Sequence, residues 1–194
     1  MSTDITAGSD ADPSVDDLAE LQARIEELEA ELSEVRDEVE NGPKKMVIIA
    51  TKGTLDMAYP PLILASTAAA FGYDVTVFHT FWGLEILHER KSKNLKLSSV
   101  GNPNMPVPNA IAALPGMDRM TTRMMRNKIA DNEVASIEEL IDVSLESGVD
   151  LQACQMTIDL LGYDEDDFYD GVTTGVGAAS AFQDMVEADI QLLV

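Results

Sequence analysis

The sequence has only one cysteine, Cys154, and two histidines, His79 and His88, among 194 residues. A single cysteine cannot close an intramolecular disulfide, which excludes a small secreted scaffold held together by disulfides. The cysteine and the histidines lie too far apart for a recognisable metal-ligand spacing, so we expect no metal site. No dinucleotide-binding GxGxxG follows the first predicted strand, and the phosphate-binding GxxxxGK[ST] and the hydrolase GxSxG are missing. We therefore expect no cofactor.

Basic residues are also scarce, because 13 lysines and arginines stand against 35 acidic residues, a formal net charge of -22. Nucleic acids and anionic membranes bind clustered basic side chains, so this balance argues against both classes of partner. Hydrophobic residues make up 45% of the chain, which is enough for a buried core and distinguishes it from disordered acidic proteins. The acidic excess resembles the surfaces of proteins from salt-loving organisms, and we interpret it as a halophilic feature.

Long hydrophobic runs are missing as well. The longest apolar stretch, residues 62–71, is too short and too interrupted to span a bilayer. The first 12 residues have neither the basic segment nor the apolar segment of a signal peptide. We therefore expect a cytoplasmic protein with no membrane insertion. Residues 1–13 are small and polar, and we expect them to form a disordered tail.

A heptad pattern follows that tail and predicts a coiled-coil helix over residues 14–41. In a parallel pair of chains Arg24 faces Glu29, and Glu31 faces Arg36, so opposite charges meet beside the apolar seam. The pattern predicts a homo-oligomer formed through this seam and through contacts between the domains that follow. The alternative is a helix that packs the same stripe on its own domain. The seam residues, at positions a and d, are Leu18, Leu21, Ile25, Leu28, Leu32, Val35 and Val39.

Residues 44–194 alternate between predicted strands and helices. The predicted strands are 46–50, 74–79, 150–153 and 190–194, and a further element begins within 171–175. The predicted helices are 59–72, 83–91, 118–130, 136–147, 154–162 and 178–188. This alternation is typical of a mostly parallel sheet with helices on both faces. We therefore predict a three-layer α/β domain preceded by the coiled-coil helix.

Four segments reach the carboxyl edge of the predicted sheet, which is where open parallel sheets bind ligands. They are 51–53, 79–82, Cys154 and 171–177. Cys154 follows a short apolar strand and begins a predicted helix, whose unpaired N–H groups and dipole stabilise a thiolate. This position makes Cys154 a candidate nucleophile. The alternative is an inert, buried cysteine that packs as a small hydrophobic residue.

Lys52 and His79 lie at the same predicted edge. Lys52 is a candidate for holding a thiolate or an anionic substrate by charge, and the alternative is an ordinary solvated lysine in a loop. His79 is a candidate for moving a proton near neutral pH, and the alternative is a hydrogen-bonded histidine that closes its strand. His88 lies among charged residues on a predicted helix, and we expect it to be exposed.

Residues 92–116 form a long predicted connection rich in asparagine, proline and glycine, which is typical of a functional or mobile loop. Thioethers bind Cu(I), but methionine is more often a packing residue. We therefore interpret the methionines in and after this loop as packing residues or as part of a mobile lid. They are Met105, Met117, Met120, Met124 and Met125.

Four segments, in this order, resemble the DsrE/DsrF-like family, and most closely its DsrE2-type branch. The resemblance covers residues 46–194 and leaves out the coiled-coil segment. Its segments are MVIIATKGTLDMAYPPLILASTAAAFGYDVTVFHTFWGL from residue 46, GNPNMPVPN with the methionines, ACQMTIDLLG around Cys154, and DGVTTGVGAASAFQDMVEADIQLLV at the end.

The resemblance implies a small α/β fold with a largely parallel sheet, assembled as an oligomer. It also implies a sulfur-relay role, in which a cysteine persulfide passes sulfane sulfur to a partner such as a TusA-like carrier. Cys154 in ACQMT takes the place of the persulfide-bearing cysteine, with Lys52 and His79 as supporting candidates. The protein is then a sulfurtransferase or a persulfide carrier. Members of the family are also labelled peroxiredoxin-like, but the lack of a second cysteine argues against a classical peroxidase.

The residues leave two other interpretations open. One is a non-catalytic, oligomeric binding or scaffold protein whose cysteine is incidental, which a buried and alkylation-resistant Cys154 would favour. The other is a small-molecule or nucleotide-binding domain that uses the glycine-rich edge of the sheet.

Overall fold

A computed structural model describes residues 15–42, 44–98 and 116–194 in two units. The first unit contains one helix, α1 (Val15–Asn41), and the second begins at Pro43. The predicted tail, residues 1–13, and most of the predicted loop 92–116 lie outside the described residues. Among the described helices, none combines the length and the apolar character needed to cross a membrane.

The apolar stripe of α1 is open to solvent on this chain. Arg24 and Glu27, one turn apart, form an exposed ion pair of 2.5 Å. An exposed pair of this kind contributes little to stability, so the helix depends on what its apolar stripe contacts. The described seam side chains are 47–61% exposed: Leu18, Leu21, Ile25, Leu28, Leu32 and Val35.

Five parallel strands form the sheet of the second unit, in the order β4-β3-β2-β1-β5. This arrangement confirms the predicted α/β class with a parallel central sheet. Parallel strands need a crossover between neighbours, and the helices of the chain supply it. The strands are β1 (Lys45–Ala50), β2 (Asp74–His79), β3 (Asp150–Cys154), β4 (Thr173–Val176) and β5 (Ile190–Leu193).

Six helices accompany these strands in the part of the second unit that the structure describes. Two of them, α2 and α5, pack together on one face of the sheet, which we call the core face, and α7 contacts β1 and β4 on the other face. Short 3-10 helices cover Phe81–Ile86 and Glu165–Asp167. The helices are α2 (Leu55–Ala70), α3 (Glu89–Ser92), α4 (Met117–Asp131), α5 (Ile137–Glu146), α6 (Gln155–Leu161) and α7 (Ala178–Glu187).

Side chains of the strands alternate between two clusters, one on each face. On the core face Ile48, Val77 and Leu151 are fully buried together with Leu62 of α2 and Ile141 of α5. These branched aliphatic side chains suit a sheet that is covered by helices. The cluster on the second face is smaller, and its buried members are Phe78, Cys154 and Ala181.

Two predicted helices differ in the structure. Helix α2 begins at Leu55 rather than at Tyr59, so Pro60 and Pro61 lie inside it. Burial of Leu55 and Ala58 favours this earlier start, although each proline removes a backbone donor. The predicted helix 83–91 is divided instead, because His88 has extended backbone and forms an antiparallel bridge with Phe168.

Two loops at the carboxyl edge approach each other so closely that only glycine fits. A Cβ atom on Gly83 would lie 2.2 Å from the carbonyl oxygen of Ala50, and a Cβ atom on Gly53 would lie 2.0 Å from that of Trp82. The Ala50 oxygen also accepts a hydrogen bond from the Thr80 N–H group at 3.0 Å. The loop after β1 and the turn after β2 are therefore locked together through backbone contacts.

We predict that replacing Gly83 with alanine lowers the free energy of unfolding by about 3 kcal/mol, because the backbone must move to admit the Cβ atom. Gly177→Ala is the matched control, since a Cβ atom there meets nothing within 4 Å. Its cost should be about 1 kcal/mol or less. Urea denaturation of both variants measures the difference, and equal stabilities would contradict the predicted clash.

His79 is fully buried at the end of β2, on the core face. Its Nδ1 atom lies 3.1 Å from the carbonyl oxygen of Val77, and this contact makes Nδ1 the protonated ring nitrogen. Among the described residues Nε2 has no hydrogen-bond partner. Burial lowers the pKa of His79 to about 4, although the carbonyl groups of Val77 and Gln152 act in the opposite direction. The histidine therefore stays neutral at physiological pH.

This burial predicts a loss of stability in acid. In the unfolded chain a histidine binds a proton below its ordinary pKa of 6.5, whereas native His79 stays neutral down to about 4. The contribution of neutral His79 to the free energy of unfolding is therefore complete above pH 6.5, and it is lost as the pH falls towards 4. Between pH 7 and pH 4 the wild type should lose about 3 kcal/mol more than His79→Asn. Urea denaturation between pH 7 and pH 4 measures this difference. If the free energy of unfolding changed with pH in the same way for both proteins, the prediction would be contradicted.

Candidate functional site

Three neighbouring strands end at the same level of the sheet and bring the candidate cysteine to its carboxyl edge. In the register Ala50 pairs with His79, and His79 pairs with Ala153. Cys154 follows Ala153 directly, as Thr80 follows His79, so these two residues lie side by side on adjacent strands. The parallel sheet therefore places Cys154 at the edge where ligands bind in open α/β sheets.

Cys154 is buried, with 3% of its surface exposed. It is the last residue of β3 and the N-cap of α6, and its side chain makes no capping hydrogen bond. The thiol lies on the second face of the sheet, in an apolar cluster with Phe78 and Ala181. Ile49 and Val176, which are partly buried, pack against the same cluster. A reactant therefore cannot reach Sγ without movement of the groups that cover it.

Cys154 and His79 lie on opposite faces of the sheet. His79 is next to Phe78 along β2, and successive side chains of a strand point to opposite faces. Phe78 belongs to the cluster around the thiol, whereas His79 belongs to the core face. Lys52 is exposed in the loop after β1, which β2 separates from β3. The structure does not gather the three predicted residues on one face, and the roles of Lys52 and His79 stay predictions.

The first turn of α6 holds the loops on both sides of Cys154. Thr157 is fully buried, and its Oγ1 atom accepts a hydrogen bond from the Phe81 N–H group at 3.2 Å. The Thr157 and Thr80 hydroxyl groups also share a hydrogen bond of 3.2 Å. On the other side, Oε1 of Gln155 accepts a hydrogen bond from the Gly175 N–H group at 3.0 Å. Thr157 and Gln155 are not recognisable from the sequence, because their hydrogen-bond partners are distant in the chain. Their position within three residues of Cys154 is the one signal that the sequence offers.

The glycine-rich segment 171–177 contains the edge strand β4. In its pairing with β3, Gln152 lies opposite Thr173, and Cys154 lies opposite Val176. This register leaves one extra residue on β4, which is the geometry of a β-bulge. The glycine-rich segment therefore lies directly beside Cys154, as the predicted convergence at the sheet edge requires.

Large apolar side chains are exposed in the turn after β2 and on α6, two segments that follow strands at the carboxyl edge. Trp82, the only tryptophan, is 61% exposed, and Phe81 beside it is half exposed with a positive φ of 48°. Met156 and Leu160 of α6 are also exposed. We call these four residues the apolar rim. A solvent-exposed group of large apolar residues beside a candidate site is typical of a surface that binds a partner.

A cavity of about 380 Å³ lies on the core-face side between α2, α4 and α5. Leu55, Tyr59, Arg126 and Ile129 are among its lining residues, and burial raises the pKa of Tyr59. Neither Cys154 nor the glycine-rich segment lines it. The cavity therefore gives no support to a ligand site that uses the glycine-rich edge.

Possible metal ligands are dispersed in the part of the chain that the structure describes. There, no group of three or more cysteine, histidine or acidic residues is arranged to hold a metal ion. Met120 and Met124 are exposed on α4, whereas Met125 packs against the core. Met105 and the side chain of Met117 lie outside the described residues.

The expectation that His88 is exposed is wrong, because the bridge to Phe168 draws it inward. His88 is buried, and its ring lies edge-on to Tyr163 and Phe168. Its Nδ1 atom accepts a hydrogen bond of 3.4 Å from the Arg90 N–H group, which caps α3. His88 therefore packs as a structural residue against Tyr163 and Phe168.

Comparison with known proteins finds relatives that cover more than three quarters of the chain. A protein of Allochromatium vinosum named sulfur carrier protein DsrE2 is 50% identical over 159 residues, covering 78% of this chain and 98% of that protein. The uncharacterised protein YrkE of Bacillus subtilis is 32% identical over 156 residues, covering 78% of this chain and 97% of YrkE. The crystal structure of the YchN protein from E. coli covers 78% of this chain and 99% of YchN, at 13% identity and a TM-score of 0.46.

Residues 42–193 match the DsrE/DsrF/DrsH-like family, which leaves α1 outside the matched region. The match includes every strand of the sheet and Cys154. With the extent of this match and the 50% identity to a DsrE2 protein, the chain belongs to the DsrE/DsrF/DrsH-like family and is of the DsrE2 type.

Proposed function

We propose that this protein works in sulfur relay and carries sulfane sulfur as a persulfide on Cys154. The observation that carries the proposal is the 50% identity to a sulfur carrier protein along nearly the whole length of that relative. Cys154 is the only cysteine of the chain and ends a strand at the carboxyl edge of the sheet. Cys154 is therefore the one residue of this chain that can hold sulfur as a cysteine persulfide.

The proposed chemistry is a pair of thiol exchange steps. The Cys154 thiolate attacks the outer sulfur of a donor persulfide, so that a new S–S bond forms on Sγ while the donor S–S bond breaks. The donor leaves as a thiolate, and Cys154 holds the sulfane sulfur as Cys–S–S⁻. An acceptor thiolate then attacks that outer sulfur and regenerates the Cys154 thiolate. One sulfur atom moves, and neither step needs an external oxidant or reductant.

The number of cysteines favours a carrier or a sulfurtransferase over a classical peroxidase. A two-cysteine peroxidase cycle needs a resolving thiol, and this chain has no second cysteine to supply it. In sulfur relay the acceptor supplies the attacking thiol instead. We propose a TusA-like carrier as that acceptor and the apolar rim as the surface where it binds. The proposed compartment is the cytoplasm, where the thiol pool keeps a lone cysteine reduced.

We predict that incubation with a persulfide donor adds about 32 Da, the mass of one sulfur atom, to the wild-type chain. The mass of Cys154→Ser should not increase, because a hydroxyl group cannot form a persulfide. Dithiothreitol or cyanide should remove the added mass. Intact-mass spectrometry measures all four conditions.

The Cys154→Ser variant should keep its fold, because serine is nearly the same size as cysteine. Its circular dichroism spectrum is the control. Loading of Cys154→Ser, or no loading of the wild type under conditions that load a known carrier, would overturn the persulfide proposal. It would favour the scaffold interpretation instead.

We further propose that the chain forms a homo-oligomer through the Leu18 to Val39 seam, with additional contacts between domains. The described seam side chains are exposed on the single chain. Arg24 and Glu31 lie at g positions, and they match Glu29 and Arg36 at the e positions of a parallel copy. In parallel register both pairs are attractive, which favours this orientation.

Oxidative cross-linking tests the parallel seam in the full-length chain, with Cys154→Ser as the background. We expect Leu21→Cys to form an intermolecular disulfide at least about tenfold faster than Ala23→Cys. The reason is that position d brings two Cβ atoms within disulfide range, whereas Ala23 lies on the outer side of the helix. Non-reducing electrophoresis over time measures both rates. Equal rates would contradict the parallel seam.

A further inference from the structure

The cover over Cys154 consists of few elements. Val176 of the edge strand β4 and Ala181 of α7 pack in the cluster around the thiol, while Ile49 and Phe78 lie on the inner strands β1 and β2. We call residues 173–181, which comprise β4 and the start of α7, the strap. Access to the thiol from the second face requires the strap to move, because the other members of the cluster lie on β1 and β2, inside the sheet.

The strap is built for easier opening than the rest of the sheet. Strand β4 has four residues, lies at the edge and pairs only with β3. Its pairing is interrupted by the bulge between Thr173 and Val176. Phe182, just after the strap, is 66% exposed, so its large side chain does not anchor the start of α7 in a core. Segments with few buried contacts open locally at lower free energy than the core.

One side chain fastens the strap to the residue next to the thiol. Gln155 follows Cys154 directly, and its Oε1 atom accepts the hydrogen bond from Gly175, at the bulge. Its Nε2 atom donates to the Asp159 carboxylate at 3.0 Å, which orients the amide group. Thr157 performs the equivalent function on the other side, where it holds the turn at Phe81. Gln155 therefore holds the strap at Gly175, beside Val176, in addition to the 2.7 Å hydrogen bond that Thr173 donates to Asp150 at the start of the strap. Thr157 holds a loop that does not belong to the thiol cluster.

We propose that Gln155 is a positioning residue that controls when thiol partners reach Cys154, by fastening the strap through Gly175. This inference rests on the proposed function, because it concerns access to the proposed carrier cysteine. The strap opens to admit a donor persulfide or an acceptor thiol from the α7 side. When it closes, it keeps the bound sulfur away from other thiols.

The test is the rate at which the single cysteine reacts with the aromatic disulfide DTNB in the full-length, native protein. We expect Gln155→Leu to react about three- to tenfold faster than the wild type, because the variant loses the acceptor for Gly175 at nearly constant size. The double variant Gln155→Glu with Asp159→Asn keeps an acceptor oxygen for Gly175 without placing two carboxylates together, so its rate should lie within about twofold of the wild type. Thr157→Val breaks the hydrogen bond on the opposite side and should not open the strap.

The urea dependence of the rate separates local opening from loss of overall stability. A reaction through strap opening changes little with low urea, whereas a reaction through global unfolding rises steeply with it. An accelerated, urea-insensitive rate in Gln155→Leu supports the proposal. An unchanged rate in Gln155→Leu, an accelerated rate that rises steeply with urea, or a urea-insensitive acceleration in Thr157→Val overturns it.

This experiment is independent of the sulfur-relay proposal, because DTNB reacts with any accessible thiol. A faster Gln155→Leu that cannot be loaded by a persulfide donor would contradict sulfur relay and leave the role of the strap intact. Normal loading with no change in DTNB rate would contradict the strap and leave sulfur relay intact.

Discussion

The alternation of side chains along parallel strands is the constraint on which this domain depends. It sends Ile48, Val77 and Leu151 to the core face and Cys154 to the second face. The same alternation puts His79 in the core, one residue away from Phe78, which contacts the thiol cluster. One face of the sheet thus provides stability, and the other presents the only cysteine under a thin cover.

This division assigns different physical roles to residues that meet at one edge. Burial keeps His79 neutral, and in acid this burial lowers the free energy of unfolding of the domain. The thiol is surrounded by apolar groups instead, and its use depends on access. A closed apolar cover limits exchange with the small thiols of the surroundings, while an opened cover admits a partner. The apolar rim, which includes the Phe81 turn held by Thr157, is the proposed surface where that partner binds.

Local sequence signals predicted much of the fold. The branched aliphatic runs identified β1 and β2, and Ser136 with Glu139 predicted the start of α5. There Oγ of Ser136 accepts the Glu139 N–H bond, and the carboxylate of Glu139 accepts the Ser136 N–H bond at 2.7 Å. These features depend on residues close together in the chain, so the sequence contains them directly.

The features that the sequence did not predict depend on long-range contacts. The break at His88 arises from a bridge to Phe168, and the roles of Gln155 and Thr157 arise from the loops that they bind. The separation of His79 from Cys154 follows from strand register, which neither residue reveals alone. Cys154 itself was found as a candidate because it ends a strand, but its depth under the strap depends on how α7 packs.

Transfer of labelled sulfur out of Cys154 tests the central claim most directly. The full-length protein is loaded with radioactive sulfane sulfur, freed of donor and mixed with a protein acceptor that has a single reduced cysteine. The account predicts that the label leaves Cys154 and appears as a persulfide on the acceptor, without added reductant and without release of free sulfide. Label that stays on Cys154, or that leaves only as sulfide when a reductant is added, would contradict a relay role.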